Sequence, residues 1–109
     1  MKILFICSKN QWRSPTAEKV FHRFNNYDVR SAGTEEGARN KVTMGHIGWA
    51  DLIFVMERKH LRRLKEKFGL QLQNKTIHCI DISDDYGYMD EELIEILKAR
   101  VSEFIDVPD

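Results

Sequence analysis

Four short segments along the chain have the hydrophobic pattern of strands. They cover residues 2–6, 27–31, 51–57 and 76–82. The first and third are built on the runs Ile3-Leu4-Phe5-Ile6 and Leu52-Ile53-Phe54-Val55, which are apolar rather than alternating. Continuous apolar runs of this length are typical of strands that are buried on both faces of a parallel sheet.

Amphipathic segments lie between these strands and after the last one. Apolar residues recur at helical spacing in residues 14–24, 58–68 and 90–104, and 42–49 could form one or two further turns. The pair Asn25-Asn26 is predicted to stop the first helix. Asp90 is predicted to cap the last helix, whose buried stripe would end with Phe104.

Strands that alternate with helices predict an α/β fold. We expect a three-layer sandwich, in which a four-stranded parallel sheet carries helices on both faces. With 109 residues the chain has the length of a single domain, residues 1–109. Ligands of such sheets bind at the carboxyl ends of the strands, and Cys7 lies just beyond the end of the first strand.

Composition narrows the classes of function. The chain carries 17 basic and 17 acidic residues, a balance that does not call for nucleic acid or a membrane surface as a partner. The apolar run before Cys7 is too short for a signal peptide, and no run is long enough to span a membrane. We therefore expect a cytoplasmic protein whose two cysteines, Cys7 and Cys79, are reduced.

The candidate chemistry lies in residues 7–14, between the first strand and the first helix. Ser14 is a candidate N-cap, and Pro15 suits a first helical position. A loop that ends at a helix N-terminus binds anions and stabilises a thiolate, which makes Cys7 a candidate nucleophile. Arg13 can hold the same anion with two parallel N–H donors. This combination suits attack on a phosphoryl group.

The string Ile3-Leu4-Phe5-Ile6-Cys7-x-x-Asn10-x-x-Arg13-Ser14-Pro15-x-Ala17-Glu18 resembles the opening of the low-molecular-weight protein tyrosine phosphatases. Ser31-Ala32-Gly33-Thr34 is also similar to the family, with Gly33 marking a tight turn. The resemblance implies the strand order 2-1-3-4 and a phosphate-binding loop. That loop would consist of Ser8, Lys9, Asn10, Gln11, Trp12, Arg13 and Ser14.

The resemblance also implies a general acid from a late loop. Alignment of Asp84-Asp85-Tyr86-Gly87 with the family's Asp-Pro-aromatic string makes Asp84 the acid. Asp85 stands where the family has proline and is the reserve candidate, followed by Asp81. Trp12, Asp85 and Tyr86 are predicted to line the substrate cleft, while Tyr88 is predicted to be a packing residue.

This chain departs from the family pattern at several positions. Lys9 replaces a usual glycine, Trp12 a frequent cysteine, and Glu57 an aspartate at the end of the third strand. The segment after Thr34 is shorter than in the family, where it helps to form the wall of the cleft.

The prediction from sequence is a phosphatase that hydrolyses phosphomonoesters, above all protein phosphotyrosine, through a phosphocysteine intermediate. It needs no cofactor and no metal, and its four histidines have no metal-ligand spacing. The alternatives are a phosphoarginine phosphatase, an arsenate reductase, or a phosphate-binding module without turnover. Cys79 lies in an apolar strand and is predicted to be a core residue rather than a redox partner.

Overall fold

Four parallel strands form the sheet of the computed structural model, which describes residues 1–24 and 26–107. The strands are β1 (Lys2–Cys7), β2 (Asp28–Gly33), β3 (Leu52–Val55) and β4 (Thr76–Cys79). Their order is β2-β1-β3-β4, and every neighbouring pair is parallel. The predicted order is confirmed.

Within the described residues, four α-helices cover the two faces of the sheet. They are α1 (Arg13–Phe21), α2 (Met44–Trp49), α3 (Arg58–Phe68) and α4 (Glu91–Val101), and a 3₁₀ turn, Gly69–Leu72, follows α3. Side chains of α1 and α4 share one hydrophobic core, and those of α2 and α3 share the other. The predicted three-layer arrangement is therefore confirmed.

Strand β1 belongs to both cores because its side chains alternate between the two faces. Phe5 points into the first core, where its ring stacks on Phe21 and Phe54 with centroids 5.4 and 5.3 Å apart. Leu4 and Ile6 point into the second core. Each of these fully buried side chains stabilises the fold by about 1.5–3 kcal/mol. The strand that carries Cys7 is thus anchored in both cores.

The start of α1 differs from the prediction. The helix begins at Arg13, so Trp12 is the capping residue and it makes no side-chain capping bond. Ser14 lies inside the first turn, and its hydroxyl group bonds the side chain of Cys7 rather than capping the helix. The helix ends at Phe21 rather than near residue 24, and Asn25, predicted to stop it, lies outside the described residues.

Two strands and the last helix are shorter than predicted. Strand β3 ends at Val55 and β4 ends at Cys79. The segments that follow the two strands remain joined by a hydrogen bond, in which the Ile82 N–H donates to the Met56 carbonyl at 2.8 Å. Helix α4 is capped by Asp90, as predicted. Phe104 lies beyond its end and is 44% exposed, so it does not belong to the buried stripe.

Candidate active site

The loop between β1 and α1 is held from outside by residues 33–41, which we call the bracing segment. The carbonyls of Cys7, Ser8 and Lys9 each accept a hydrogen bond from a backbone N–H of this segment, at 2.9–3.0 Å. Three loop carbonyls thus face the bracing segment, while the N–H of Asn10 points the other way, at Cys7 Sγ, 3.3 Å away. Inward N–H groups at a helix N-terminus form an anion site.

Gly33 allows the bracing segment to approach the loop this closely. It is the last residue of β2 and pairs with Cys7, so it does not form the predicted turn. A Cβ atom at this position would lie 2.6 Å from the Ser8 carbonyl oxygen and 3.0 Å from the Asn10 nitrogen. Contacts this short are repulsive, and only glycine fits.

A chain of hydrogen bonds ends at the thiol of Cys7, which is 3% exposed. Asn10 has a left-handed backbone (φ 56°), and its amide donates to Ser14 Oγ at 2.8 Å and to Ser31 Oγ at 2.9 Å. Ser31 donates in turn to the Glu18 carboxylate. Ser14 Oγ lies 2.9 Å from Cys7 Sγ and can donate its proton to a thiolate there.

Arg13 is 1% exposed, and the other polar groups of the site surround it. Its Nη1 donates to the Glu57 carboxylate and to the Ile82 carbonyl, the latter at 2.9 Å. Its Nε lies 3.5 Å from Asp84 Oδ1. Burial disfavours the ionised form of Glu57, but the hydrogen bond and charge of Arg13 outweigh it and lower the pKa of the Glu57 carboxyl.

The three acidic candidates of the late loop lie in different surroundings. Asp84 lines a small cavity together with Cys7 and Arg13. The neighbouring Asp85 is exposed and accepts a hydrogen bond from Ser83 Oγ at 2.5 Å. Asp81 accepts from the Cys79 thiol at 3.4 Å. Of these three, Asp84 is the carboxylate that the fold brings to the cysteine.

The remaining loop residues form the mouth of this cavity. Its lining is completed by Ser8, Lys9, Gln11 and Trp12. Lys9 directs its ammonium group away from the cavity, toward the Glu36 carbonyl at 3.1 Å and the Glu35 carboxylate at 3.7 Å. The Trp12 side chain is 46% exposed.

Sequence reasoning missed His60, which lies in the first turn of α3 and is fully buried. Its Nδ1 accepts a hydrogen bond from the Glu57 N–H at 3.0 Å, and its Nε2 lies 2.8 Å from Ser8 Oγ. Burial, with the charge of Arg13 next in importance, lowers the pKa of His60 to about 4. The sequence did offer a signal for this residue: α3 starts directly after the buried strand β3, so its first turn lies at the same sheet edge as Cys7.

A wider groove of about 650 Å³ adjoins the loop at Gln11. It runs along α1 and is lined by Gln11, Pro15, Glu18, Lys19, His22, Val29, Arg39 and Tyr88. Tyr88 is 53% exposed in this groove, so the prediction that it is a packing residue is wrong. Tyr86, predicted for the cleft, packs partly buried against the first core.

Cys79 lies on the edge strand β4 and is only partly buried, whereas a core position was predicted. Burial raises the pKa of its thiol. Among the described residues, no three His, Cys, Asp or Glu side chains cluster as metal ligands would. No helix within residues 1–24 and 26–107 has the length and apolar character needed to cross a membrane.

Comparison with known proteins points to one family. The family model described as low molecular weight phosphotyrosine protein phosphatase matches residues 2–48. The low molecular weight protein-tyrosine-phosphatase PtpB of Staphylococcus aureus is 26% identical over 136 residues, covering 100% of this chain and 98% of that protein. Because this chain has only 109 residues, it is the shorter of the two.

Solved structures share the fold. The YwlE arginine phosphatase from Geobacillus stearothermophilus is 23% identical, covering 94% of this chain and 84% of its own, with a TM-score of 0.67. A low molecular weight protein tyrosine phosphatase from T. tengcongensis is 21% identical, covering 96% and 99%, with a TM-score of 0.74. The family model over residues 2–48, the relative matched along its whole length and the shared fold make this chain similar to the low molecular weight protein tyrosine phosphatases, a family of cysteine-dependent hydrolases.

Proposed function

We propose that this protein is a phosphatase that hydrolyses phosphomonoesters, above all protein phosphotyrosine, through a phosphocysteine intermediate. One observation carries the proposal. Cys7, Arg13 and Asp84, which supply a nucleophile, a fixed cation and an acid, line a single cavity. Residues 8–14 would bind the phosphoryl group, through inward N–H groups and the guanidinium of Arg13.

In the first step, the thiolate of Cys7 attacks phosphorus. An S–P bond forms, and the bond from phosphorus to the leaving oxygen breaks. Asp84 gives its proton to that oxygen, which departs as a neutral phenol or alcohol. Arg13 and the loop amides stabilise the charge on the phosphoryl oxygens, and Ser14 Oγ, 2.9 Å from Cys7 Sγ, stabilises the thiolate before attack and as the leaving group of the second step.

In the second step, the ionised Asp84 takes a proton from water. The water oxygen attacks phosphorus, the S–P bond breaks, and inorganic phosphate leaves with the thiolate restored. These two steps need no cofactor, since the guanidinium and the amides supply the positive potential. We further propose that residues 1–109 form one catalytic domain, which works in the cytoplasm.

The groove beside Gln11 supports a protein as the substrate. It is an open depression with the exposed cation Lys19 and the side chain of Arg39 along it, and it is continuous with the loop through Gln11. A peptide that carries the phosphoryl group would find room there. Trp12, at the mouth of the cavity, can pack against either a phenyl ring or a guanidinium plane.

Phosphoarginine is the alternative substrate, since one of the structures with this fold is an arginine phosphatase. Arsenate reduction is less well supported, because Cys79 is the only other cysteine and lies partly buried on the edge strand. A phosphate-binding module without turnover is the remaining alternative.

One assay separates these functions. Purified wild type and Cys7→Ser are compared on an aryl phosphate, a phosphotyrosine peptide and a phosphoarginine peptide. The proposal predicts turnover of the first two by wild type alone, and preference for phosphotyrosine. Preference for the phosphoarginine peptide would reassign the substrate. Vanadate binding without any turnover would establish the binding module.

A further inference from the structure

His60 adopts a single protonation state in this structure. Its Nδ1 must be unprotonated, because it accepts the N–H of Glu57 at 3.0 Å. The ring is fully buried and neutral near pH 7, since burial lowers its pKa to about 4. The proton of a neutral ring then resides on Nε2, which donates to Ser8 Oγ at 2.8 Å.

This bond joins the first turn of α3 to the residue next to the cysteine. Ser8 is 6% exposed and lines the same cavity as Cys7 and Arg13. Glu57, immediately before α3, holds Arg13. One helix start therefore fixes two points of the phosphate-binding loop, one near each end.

The geometry of these bonds leads us to infer that His60 is a positioning residue of the phosphatase site. It holds Ser8, and with it the backbone next to Cys7, in a fixed relation to the Glu57–Arg13 pair. The inference rests on the proposed function. It goes beyond that function by giving a role to a side chain that does not touch the substrate.

A role in core packing alone makes a different prediction. A side chain that only fills space is replaced equally well by any residue of similar size and polarity. Positioning depends instead on a donor at the place of Nε2. Two amide side chains distinguish these cases, because Asn can supply an acceptor near the Nδ1 position but does not reach Ser8. Gln reaches farther and can place an N–H near the Nε2 position.

The experiment compares four variants with wild type: His60→Asn, His60→Gln, Ser8→Ala and the double variant Ser8→Ala/His60→Asn. We expect His60→Asn and Ser8→Ala each to lower kcat/KM for an aryl phosphate by on the order of 10-fold, the size of one lost hydrogen bond. The double variant should lose little more than either single variant, because both remove the same bond. His60→Gln should retain activity within about threefold of wild type. Urea unfolding of each variant measures its stability separately.

Two results would overturn the inference: equal losses in His60→Asn and His60→Gln, or additive losses in the double variant. If wild type shows no turnover, the proposed function fails, and vanadate affinity then tests the positioning role on its own. Weaker binding by His60→Asn and Ser8→Ala, with retention in His60→Gln, would support the role. Unchanged vanadate binding in all variants would overturn it.

Discussion

The guanidinium of Arg13 is buried, and the carboxylate of Glu57 holds it by a charged hydrogen bond through Nη1. Because Nη1 also donates to the Ile82 carbonyl, both N–H groups of this nitrogen are occupied within the protein. Glu57 thus fixes the orientation in which Arg13 meets an anion.

Replacement of Glu57 by Gln is expected to weaken both the fold and the site. The change removes the nearer of the two carboxylates that face a buried cation, and hydrogen bonds to charged groups are worth about 1.5–3 kcal/mol. Since the Glu57 side chain is 32% exposed, we expect the lower end of this range. Urea unfolding and kcat/KM for an aryl phosphate measure the two effects. Glu66→Gln, an exposed change on α3, should alter neither, and an active, fully stable Glu57→Gln would contradict this account.

Gly33→Ala tests the close approach of the bracing segment. The added methyl group would lie 2.6 Å from the Ser8 carbonyl oxygen, so the loop must shift. We expect a loss of about 1–3 kcal/mol in stability and a larger relative loss in vanadate affinity. Gly48→Ala is the matched control, because a Cβ there meets nothing within 4 Å and alanine favours the helix by about 0.5–1 kcal/mol. If both variants bind vanadate like wild type, the close approach has no functional importance.

Asp84→Asn is expected to lower kcat for phenyl phosphate by on the order of 10²–10⁴-fold, the contribution of a general acid. An aryl phosphate with a much better leaving group should be affected far less, because its oxygen departs without a proton. Asp85→Asn, one residue away and bonded to Ser83, should stay close to wild type. If Asp85→Asn lowered kcat more than Asp84→Asn did, Asp85 would be the general acid.

His60 should also make stability depend on pH. In the unfolded chain a histidine titrates near about 6.5. In the folded protein burial lowers the pKa of His60 to about 4, with the charges of Arg13, Lys59 and Arg63 adding to burial and that of Glu57 opposing it. Between these values the unfolded state binds the extra proton, so the free energy of unfolding falls as pH drops from about 6.5 to about 4.

Urea unfolding at several pH values from 4 to 8 measures this slope. His60→Gln should remove the part of it that corresponds to one proton, and the exposed His22→Gln should leave it intact. Identical slopes in wild type and His60→Gln would show that His60 is not held neutral in the folded state.

The fold could be predicted from sequence largely because its signals are local. Apolar runs such as Ile3-Leu4-Phe5-Ile6 and the Asp90 cap depend on neighbours in the chain, and both predictions agree with the structure. The Cys7, Arg13 and Asp84 cavity followed from the rule that parallel strands end at one edge, with the resemblance selecting Asp84 from three carboxylates.

Residues whose role depends on distant partners could not be predicted in the same way. Ser14 has the local chemistry of a cap, but its hydroxyl is used by Cys7, seven positions away. Gly33 has the local signal of a turn, yet glycine is required there because the Ser8 carbonyl lies where a Cβ atom would be. His60 meets Ser8 across 52 positions, and no local pattern encodes that contact. Such contacts become visible only when the strands have been placed side by side.

The most direct test of the central claim is detection of the phosphocysteine intermediate. Asp84→Asn, which should slow hydrolysis of the S–P bond, is mixed with an aryl phosphate that has a good leaving group, quenched rapidly, and digested for mass spectrometry. The account predicts one phosphoryl group on the peptide that contains Cys7, and none on that peptide in Cys7→Ala. Release of the phenol by wild type with no phosphoryl group on Cys7, or turnover by Cys7→Ala, would contradict it.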